Sequence, residues 1–320
     1  MKLQILIPHY KEKEKDILPL LNSIAIQQNV SFDDVGVIIC HDGDAPDLKL
    51  PTFPFLVEQI RIPHKGVSAT RNACLDHATA EYVMFCDADD MFLNACGLFL
   101  IFREMTIGFD SLTSLFIEEN RNPKTNEPFY INRELDSTFV HGKVHRRQYL
   151  IDKHIRWNED LTIHEDSFFN ALCQNLSANV KYCSMPFYLW RWRDDSVCRH
   201  DPKYILKTYG NMLDSNDALL DEFLSRGMQD KAMVYAVSMI FDAYYTMNKR
   251  EWIDQENKEY RDSTELRFKQ YFQKHEDLWN MMPIPDKLQI SNNVRARSIA
   301  EGMLMEAVTV DAWLNHIRDL

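Results

Sequence analysis

Three aspartates, Asp87, Asp89 and Asp90, follow a short apolar run in the stretch FCDADD at residues 85–90. Carboxylates are costly to bury unless a cation meets them. Hard divalent cations prefer oxygen ligands, and one or two carboxylates commonly hold them together with substrate phosphates. The stretch therefore predicts a Mn²⁺ or Mg²⁺ site that carries a diphosphate. Taken alone, the same acids would also fit a strand end followed by a helix cap.

A second acidic pair, Glu165 and Asp166, lies in HEDSFFN at residues 164–170. A carboxylate in a closed pocket can take the proton of an attacking hydroxyl, because burial and neighbouring charges tune its pKa. Acids are also favoured near a helix N-terminus by the helix dipole. The pair alone leaves both interpretations open.

Apolar patterning over residues 3–90 predicts the element order β-α-β-β-α-β, which indicates an α/β sheet flanked by helices. The predicted strands are 3–10, 34–47, 55–63 and 81–90, and the predicted helices are 14–28 and 66–79. Ligands of such sheets bind outside the carboxyl ends of the strands. Polar residues lie at three of these ends: His9, Tyr10, Asp42, Gly43, Asp87 and Asp89.

Four motifs occur in a set order: ILIPHYKEK, IICHDGD, KGVSATRNACLDHATAEYVMFCDADD and HEDSFFN. This order resembles family 2 glycosyltransferases with the GT-A fold, a mixed sheet flanked by helices, over residues 3–200. A lone DxD is a common accident, whereas an ordered set of motifs is not. The resemblance implies transfer of a sugar from a nucleotide-sugar donor, with a divalent cation as cofactor and inversion at the sugar.

The resemblance also assigns roles to the acids. It makes Asp89 the direct metal ligand and places Asp87 beside it, nearer the ribose or the sugar of the donor. Asp166 matches the residue that deprotonates the acceptor hydroxyl. Glu165 would orient either the acceptor or Asp166.

The nucleoside end of the donor is assigned in the same way. Pro8 and Tyr10 would form the wall against the base, and Asp42 would accept a hydrogen bond from the base N3–H, as for uracil. His41 and Asp44 stand where the related turn usually has an acid and a serine. This departure leaves the base preference open, although a UDP-sugar is the expected donor.

Basic residues are expected on the diphosphate side of the donor site. By resemblance, Arg71 would reach the base or the diphosphate. Arg191 and Ser196 have the spacing of a loop that closes over the diphosphate, with Arg193 as the competing arginine. Lys143 would contact the donor phosphate or the acceptor. Arginine suits phosphate because its planar fork meets two oxygens.

Composition and the absence of certain motifs limit the other classes of protein to which this sequence could belong. The chain has 320 residues and a formal net charge of −12, so general binding to nucleic acid is not favoured, although a DNA acceptor stays open. Seven cysteines without a CxxC pair argue against a disulfide framework or a zinc site. We find no apolar run long enough to span a bilayer and expect a cytoplasmic protein. GxGxxG, GxxxxGK[ST] and GxSxG are absent, which removes dehydrogenase, P-loop and serine hydrolase interpretations.

Helical periodicity dominates the C-terminal third, which predicts a catalytic domain over residues 1–205 and an all-helical domain or extension over 206–320. The helical part could mediate oligomerisation. The predicted acceptor is a hydroxyl of a glycan or of a cell-wall or surface polymer. The alternatives are glycosylation of a modified DNA base or a protein, and a catalytically silent GT-A protein that serves as a binding or scaffold module.

Overall fold

A computed structural model describes residues 1–194, 196, 203–300 and 308–320. The chain divides into two compact units, Met1–Ser196 and Val197–Leu320. Cys198, one of the seven cysteines, lies outside the described residues, as do 301–307 of the predicted helical part.

The first unit is an α/β unit. Its strands are β1 (Leu3–His9), β2 (Val35–Asp42), β3 (Leu56–Ile62), β4 (Tyr82–Phe85), β5 (Met91–Phe92), β6 (Ser111–Arg121), β7 (Pro128–Arg133), β8 (Lys143–Arg146) and β9 (Val180–Trp190). Its helices are α1 (Glu14–Ala25), α2 (Val67–His77), α3 (Gly97–Ile107), α4 (Arg147–Asp152) and α5 (Glu165–Asn175).

Within the described residues these nine strands form one mixed sheet in the order β3-β2-β1-β4-β8-β6-β9-β5, with β7 paired to β6. β1, β2, β3 and β4 run parallel, and β8 joins β4 in the antiparallel sense. Because β1 lies between β2 and β4, the carboxyl ends of these three strands lie side by side. The sheet therefore brings together the polar residues that follow β1, β2 and β4, as the sequence predicted.

The core lies between the sheet and its helices. β2 is buried at every position, which is typical of a parallel strand covered on both faces. On α1, residues Ile17, Leu20, Leu21 and Ile24 are buried at helical spacing and pack into the same cluster as β1 and β2. Each such side chain contributes about 1.5–3 kcal/mol by burial. The helix therefore fixes the back of the sheet.

The second unit consists of helices in its described residues: α6 (Tyr204–Ser225), α7 (Gln229–Met247), α8 (Arg250–Ile253), α9 (Lys258–Met281), α10 (Ile284–Ala300) and α11 (Val310–Asp319). Polar contacts join α6 to α9, among them Tyr271 Oη to Asn216 Oδ1 at 2.7 Å and Lys274 Nζ to Asp221 Oδ2 at 2.9 Å. The predicted fold class, an α/β sheet with a helical C-terminal part, is confirmed. Among the described helices, none combines the length and apolarity required to cross a bilayer.

Candidate active site

One buried arginine joins the two acidic motifs. Arg71, from α2, donates from Nη2 to Asp87 Oδ1 at 3.0 Å. Its Nη1 donates to Glu165 Oε1 at 3.0 Å and to Asp166 Oδ1 at 2.7 Å. Asp87 follows β4, whereas the other two acids begin α5, so a single guanidinium connects the end of the parallel sheet to the predicted base.

Aromatic and amide contacts fix this arginine. The guanidinium carbon of Arg71 lies 4.3 Å from the ring centroid of Trp157, a cation–π contact. Asn72, the next residue of α2, accepts from the Trp157 backbone N–H at 3.0 Å and donates to its carbonyl at 2.9 Å. The sequence RN in SATRN therefore supplies both the cation and the residue that positions its aromatic partner.

Burial and charge set the protonation of this cluster. Burial opposes charge on Arg71, but the carboxylates of Asp166, Asp87 and Glu165 raise its pKa above the usual value. Burial, followed by the neighbouring Asp166 carboxylate, raises the pKa of Glu165 to about 7. Burial also raises the pKa of Asp166, although Arg71 works in the opposite direction. Glu165 and Asp166 therefore hold protons more readily than exposed acids do.

A short segment before β8 orients Asp166. The backbone N–H of Val140 donates to Asp166 Oδ2 at 3.0 Å. Asn170, one turn along α5, donates from Nδ2 to the carbonyls of Thr138 and Phe139, each at 2.9 Å. The helix that carries Asp166 therefore also holds the segment that aligns it.

Lys143 has surroundings different from those expected at a phosphate contact. It is fully buried on β8, and its ammonium donates to the carbonyl of Phe139. Burial lowers the pKa of Lys143 to about 8, while Asp136 and Asp166 oppose this shift. Lys143 therefore supports the segment that orients Asp166 and presents no exposed charge to a donor.

Asp89 and Asp90 both bind the segment that follows β9. Arg193 Nη1 is 2.9 Å from Asp89 Oδ2, and Arg191 Nη1 donates to the Asp89 carbonyl at 3.1 Å. Asp90 accepts from the Arg191 backbone N–H at 2.9 Å and from Tyr188 Oη at 2.5 Å. Asp90 is buried in the turn between β4 and β5, whereas the next helix begins at Gly97. The alternative interpretation of these acids as a helix cap is therefore wrong for Asp90.

The predicted closing loop is described in part. Arg191, Arg193 and Ser196 lie after β9, and the Ser196 backbone N–H donates to the Arg193 carbonyl at 3.3 Å. Both arginines reach the aspartate turn, so the segment lies beside the predicted metal site. The structure therefore places the two competing arginines together and gives them different partners: a backbone oxygen for Arg191 and a carboxylate for Arg193.

One group of described side chains has ligand atoms close enough together to hold a divalent cation. Among the described residues, Asp87, Asp90 and His141 each offer a ligand atom, and these atoms lie within 4.8 Å of one another. Asp89, the expected direct ligand, lies outside this group, and its carboxylate pairs with Arg193. Asp87 belongs to both the expected pair and the observed group.

The charge of the cluster also fits a cation. Asp87, Glu165 and Asp166 place three carboxyl groups around the one guanidinium of Arg71. When all three are ionised the group carries two excess negative charges, which a divalent ion next to Asp87 would offset. The residues present therefore fit Mn²⁺ or Mg²⁺ beyond the carboxyl end of β4.

The nucleoside side is built on Asp42. Its carboxylate accepts from the backbone N–H groups of Lys65 at 2.8 Å and Gly66 at 3.0 Å, and lies 2.9 Å from His64 Nδ1. Gly66 precedes α2 with φ +91, a conformation that favours glycine. A carboxylate offers about four acceptor sites. Three contacts on Asp42 leave room for one more donor, such as a base N3–H.

Tyr10 and Pro8, the two residues expected to form the base wall, lie at the carboxyl end of β1. Tyr10 is exposed directly after β1, and its ring stacks on His64 with centroids 5.0 Å apart. Pro8 lies on β1, opposite Cys40 of β2. His64, which the sequence analysis did not select, therefore joins Tyr10 to Asp42.

Several positioning residues were missed because their partners are distant in sequence. They are His9, His64, Asn72, Trp157, Asn170 and Tyr188. The asparagine beside Arg71 in SATRN offered a local signal. His9 and Asn170 also lie inside quoted motifs, ILIPHYKEK and HEDSFFN, whereas His64, Trp157 and Tyr188 lie in none.

The first unit has a GT-A-like fold, and its acid cluster lies beyond the carboxyl end of β4. Residues 4–101 match the model of the family described as Glycosyl transferase family 2. This match supports the resemblance seen in the motifs and agrees with the predicted enzyme class, a glycosyltransferase.

Individual relatives extend the comparison. The chain is 22% identical over 219 residues to EpsH of Bacillus subtilis (strain 168), whose name describes a glycosyltransferase. The alignment covers 61% of this chain and 63% of that protein. The crystal structure of S. aureus TarS 1–349 is similar with a TM-score of 0.63 at 16% identity, over 98% of this chain and 95% of that one. TarS 1–349 in complex with UDP-GlcNAc gives 0.58 at 17% identity, over 92% of each chain. At this identity the likeness shows the fold, and the predicted GT-A fold is confirmed.

Proposed function

We propose that the chain is a metal-dependent, inverting glycosyltransferase that moves a sugar from a UDP-sugar to a hydroxyl of a glycan or a cell-wall or surface polymer. One observation carries the proposal: Arg71 holds Asp87, at the donor end of the sheet, against Glu165 and Asp166. Donor and acceptor chemistry require these groups side by side. The UDP-GlcNAc complex of the similar TarS structure supports the donor class.

The donor would lie across the ends of β1, β2 and β4. Tyr10 offers a ring face to the base, and the remaining acceptor site of Asp42 takes the base N3–H. When bound beside Asp87 and Asp89, a divalent cation neutralises the diphosphate. Arg191 and Ser196 lie on the segment that would cover the departing UDP.

Transfer follows from the position of Asp166. The acceptor oxygen attacks the anomeric carbon while the bond from this carbon to the diphosphate oxygen breaks, and UDP leaves with the electron pair. The hydroxyl proton passes to the Asp166 carboxylate. Each Asp166 oxygen already accepts one hydrogen bond, and each retains capacity for another. Single displacement inverts the anomeric centre.

The domain assignment is part of the proposal. We assign catalysis to residues 1–205 and an accessory role, in oligomerisation or acceptor binding, to the helical residues 206–320. The alternative acceptors, a modified DNA base or a protein, would be distinguished by an acceptor panel in a transfer assay.

Asp89→Ala should remove metal-dependent donor binding. Loss of outer-shell partners of metal ligands alone costs roughly 10- to 100-fold in affinity. A direct ligand should therefore cost at least about 100-fold in Mn²⁺-dependent UDP affinity by calorimetric titration. Asp160→Ala, an exposed acid, is the matched control and should bind as wild type. If Asp89→Ala keeps the full Mn²⁺-dependent affinity for UDP, Asp89 is not the metal ligand, and the group of Asp87, Asp90 and His141 becomes the candidate.

Arg193→Ala should strengthen Mn²⁺ binding in the absence of nucleotide. Arg193 occupies Asp89 Oδ2, so its guanidinium competes with a metal cation for the same oxygen. A partly exposed pair contributes about 0.2–1 kcal/mol, which predicts up to roughly fivefold tighter Mn²⁺ binding. Electron paramagnetic resonance of free Mn²⁺ measures this directly. Arg191→Ala is the control, because Arg191 contacts a backbone oxygen; equal Mn²⁺ affinities in the two variants would contradict the competition.

A further inference from the structure

Two buried histidines join the strand ends that carry the proposed nucleoside-binding residues. His9 ends β1 and lies opposite His41 of β2. Their Nδ1 atoms are 2.8 Å apart, and the rings meet edge to face with centroids at 4.8 Å. His9 precedes Tyr10, and His41 precedes Asp42. The pair therefore lies next in sequence to both Tyr10 and Asp42, and His41 stands where the related turn usually has an acid.

The outer nitrogens of both rings face oxygen acceptors. His9 Nε2 is 2.8 Å from the carbonyl of Glu12, which can only accept. His41 Nε2 is 2.9 Å from Gln59 Oε1, which also accepts. Both outer nitrogens must therefore carry protons. A third proton must lie between the two Nδ1 atoms, because two lone pairs at 2.8 Å would repel each other.

Three protons on four nitrogens exceed the count of two neutral imidazoles by one, since a neutral ring carries one N–H. The count would fall to two only if the Gln59 amide were turned over. In the observed orientation Gln59 Nε2 donates to the Leu48 carbonyl at 3.3 Å. Turning the amide over would break this hydrogen bond and place Gln59 Oε1 against the carbonyl oxygen of Leu48. The hydrogen-bond pattern therefore favours the protonated pair.

Several charges surround the pair. Arg61 and Asp47 face His41, and they form an ion pair at 2.5 Å, so their effects largely offset each other. Glu14 of α1 faces His9. Burial lowers the pKa of His41, whereas the Gln59 contact raises it. Burial is the larger influence and the neighbouring His9 acts in the same direction, so the net pKa of His41 is lowered and the extra proton should be lost as pH rises.

We propose that His9 and His41 share one positive charge and act as a positioning pair, which holds Tyr10 and Asp42 in place for the nucleoside. The inference rests on the proposed function, because the affected ligand is the nucleotide. Neither histidine touches the ligand in this account. Three hydrogen bonds link Glu12, His9, His41 and Gln59 in series, and loss of the extra proton removes the one between the two histidines. The affinity for the nucleotide should therefore fall as pH rises.

Gln59 offers a test that avoids disturbing the core, because its side chain is exposed on the edge strand β3. Gln59→Glu places a carboxylate on His41 Nε2 and should retain the proton to higher pH, since an adjacent opposite charge shifts a pKa by about 1–3 units. Gln59→Leu removes the acceptor and should release the proton at lower pH. The readout is UDP affinity at saturating Mn²⁺ from pH 5.5 to 8.5.

At pH 8 we expect Gln59→Glu to bind UDP about tenfold more tightly than Gln59→Leu, in line with a shift of about one pKa unit. Glu58→Gln, the neighbouring position on β3, is the matched control and should follow the wild-type profile. Superimposable profiles for both Gln59 variants would overturn the proposal.

Nuclear magnetic resonance separates this inference from the proposed function. Two-bond ¹⁵N–¹H correlations count ring N–H groups without any ligand, with assignment from His9→Asn and His41→Asn. Three N–H groups on the pair at pH 6 are expected, and two would overturn the inference. Absence of UDP binding in wild-type protein, together with three N–H groups, would contradict the proposed function alone.

Discussion

Asp166→Asn should lower turnover by about 10²- to 10⁴-fold, the range typical of general base catalysis. The amide cannot take the proton of the acceptor hydroxyl. Its oxygen can still accept from Arg71, so the cluster that holds Asp87 should persist. UDP affinity in the presence of Mn²⁺ should therefore change by less than about threefold. The measurement is steady-state transfer together with calorimetric titration of UDP.

Glu165→Gln is the matched control for the base. Burial and Asp166 raise the pKa of Glu165 to about 7, so this side chain is partly protonated near neutral pH and the amide resembles it. We expect a smaller loss of turnover than for Asp166→Asn. If Asp166→Asn transfers at near-normal rates while Glu165→Gln does not, the base is Glu165.

Arg71→Leu should lower the free energy of unfolding by about 3–5 kcal/mol, the usual cost of leaving buried charge without its partner. Three carboxyl groups contact this guanidinium, which also lies over the ring of Trp157. Urea denaturation measures the change. Arg103→Leu, which removes a half-exposed arginine of α3, should cost less than about 1 kcal/mol.

The effect of Arg71→Leu should depend on pH with a defined sign. Burial already raises the folded-state pKa values of Glu165 and Asp166, and without the Arg71 cation both should rise further. An acid with a raised folded pKa favours folding at low pH and loses this contribution as pH rises through that pKa. The destabilisation should therefore be larger at pH 8 than at pH 5.5. A loss that is equal at both values would argue that packing, and not charge, explains it.

Most of the fold could be predicted from local patterns in the sequence. Apolar runs predicted the four parallel strands, which end in the structure at His9, Asp42, Ile62 and Phe85, and α2 begins at Val67, one residue after the predicted start at 66. These features depend on neighbours in sequence, which periodicity and turn residues record directly. Strand ends were extended too far at Asp47 and Asp90, because polar turn residues continued the pattern without sheet pairing.

The site was only partly accessible from the sequence. Motifs selected Arg71, Asp87 and Asp166 but not the ion pairs that join them, since Asp166 lies 95 positions from Arg71. The expected phosphate contact of Lys143 assumed an exposed basic turn, whereas strand pairing with β6 and β4 buries this position. Burial depends on which strands are adjacent, and the patterning of one strand does not determine its neighbours.

The histidine pair shows the same limit at closer range. His41 was noted as a departure from the related turn, but its partner His9 lies on another strand. Only the register between β1 and β2 brings the two rings together. An unusual residue in a motif therefore indicates where to look for a compensating residue across the sheet.

Calorimetric titration of the protein with UDP, GDP, CDP and ADP, each with and without Mn²⁺, tests the central claim most directly. We expect tight binding of UDP that requires Mn²⁺, with the other nucleotides weaker. Equal binding of UDP with and without Mn²⁺ would contradict the metal assignment. Failure of all four nucleotides to bind would contradict a nucleotide-sugar transferase and favour a GT-A protein that serves as a scaffold.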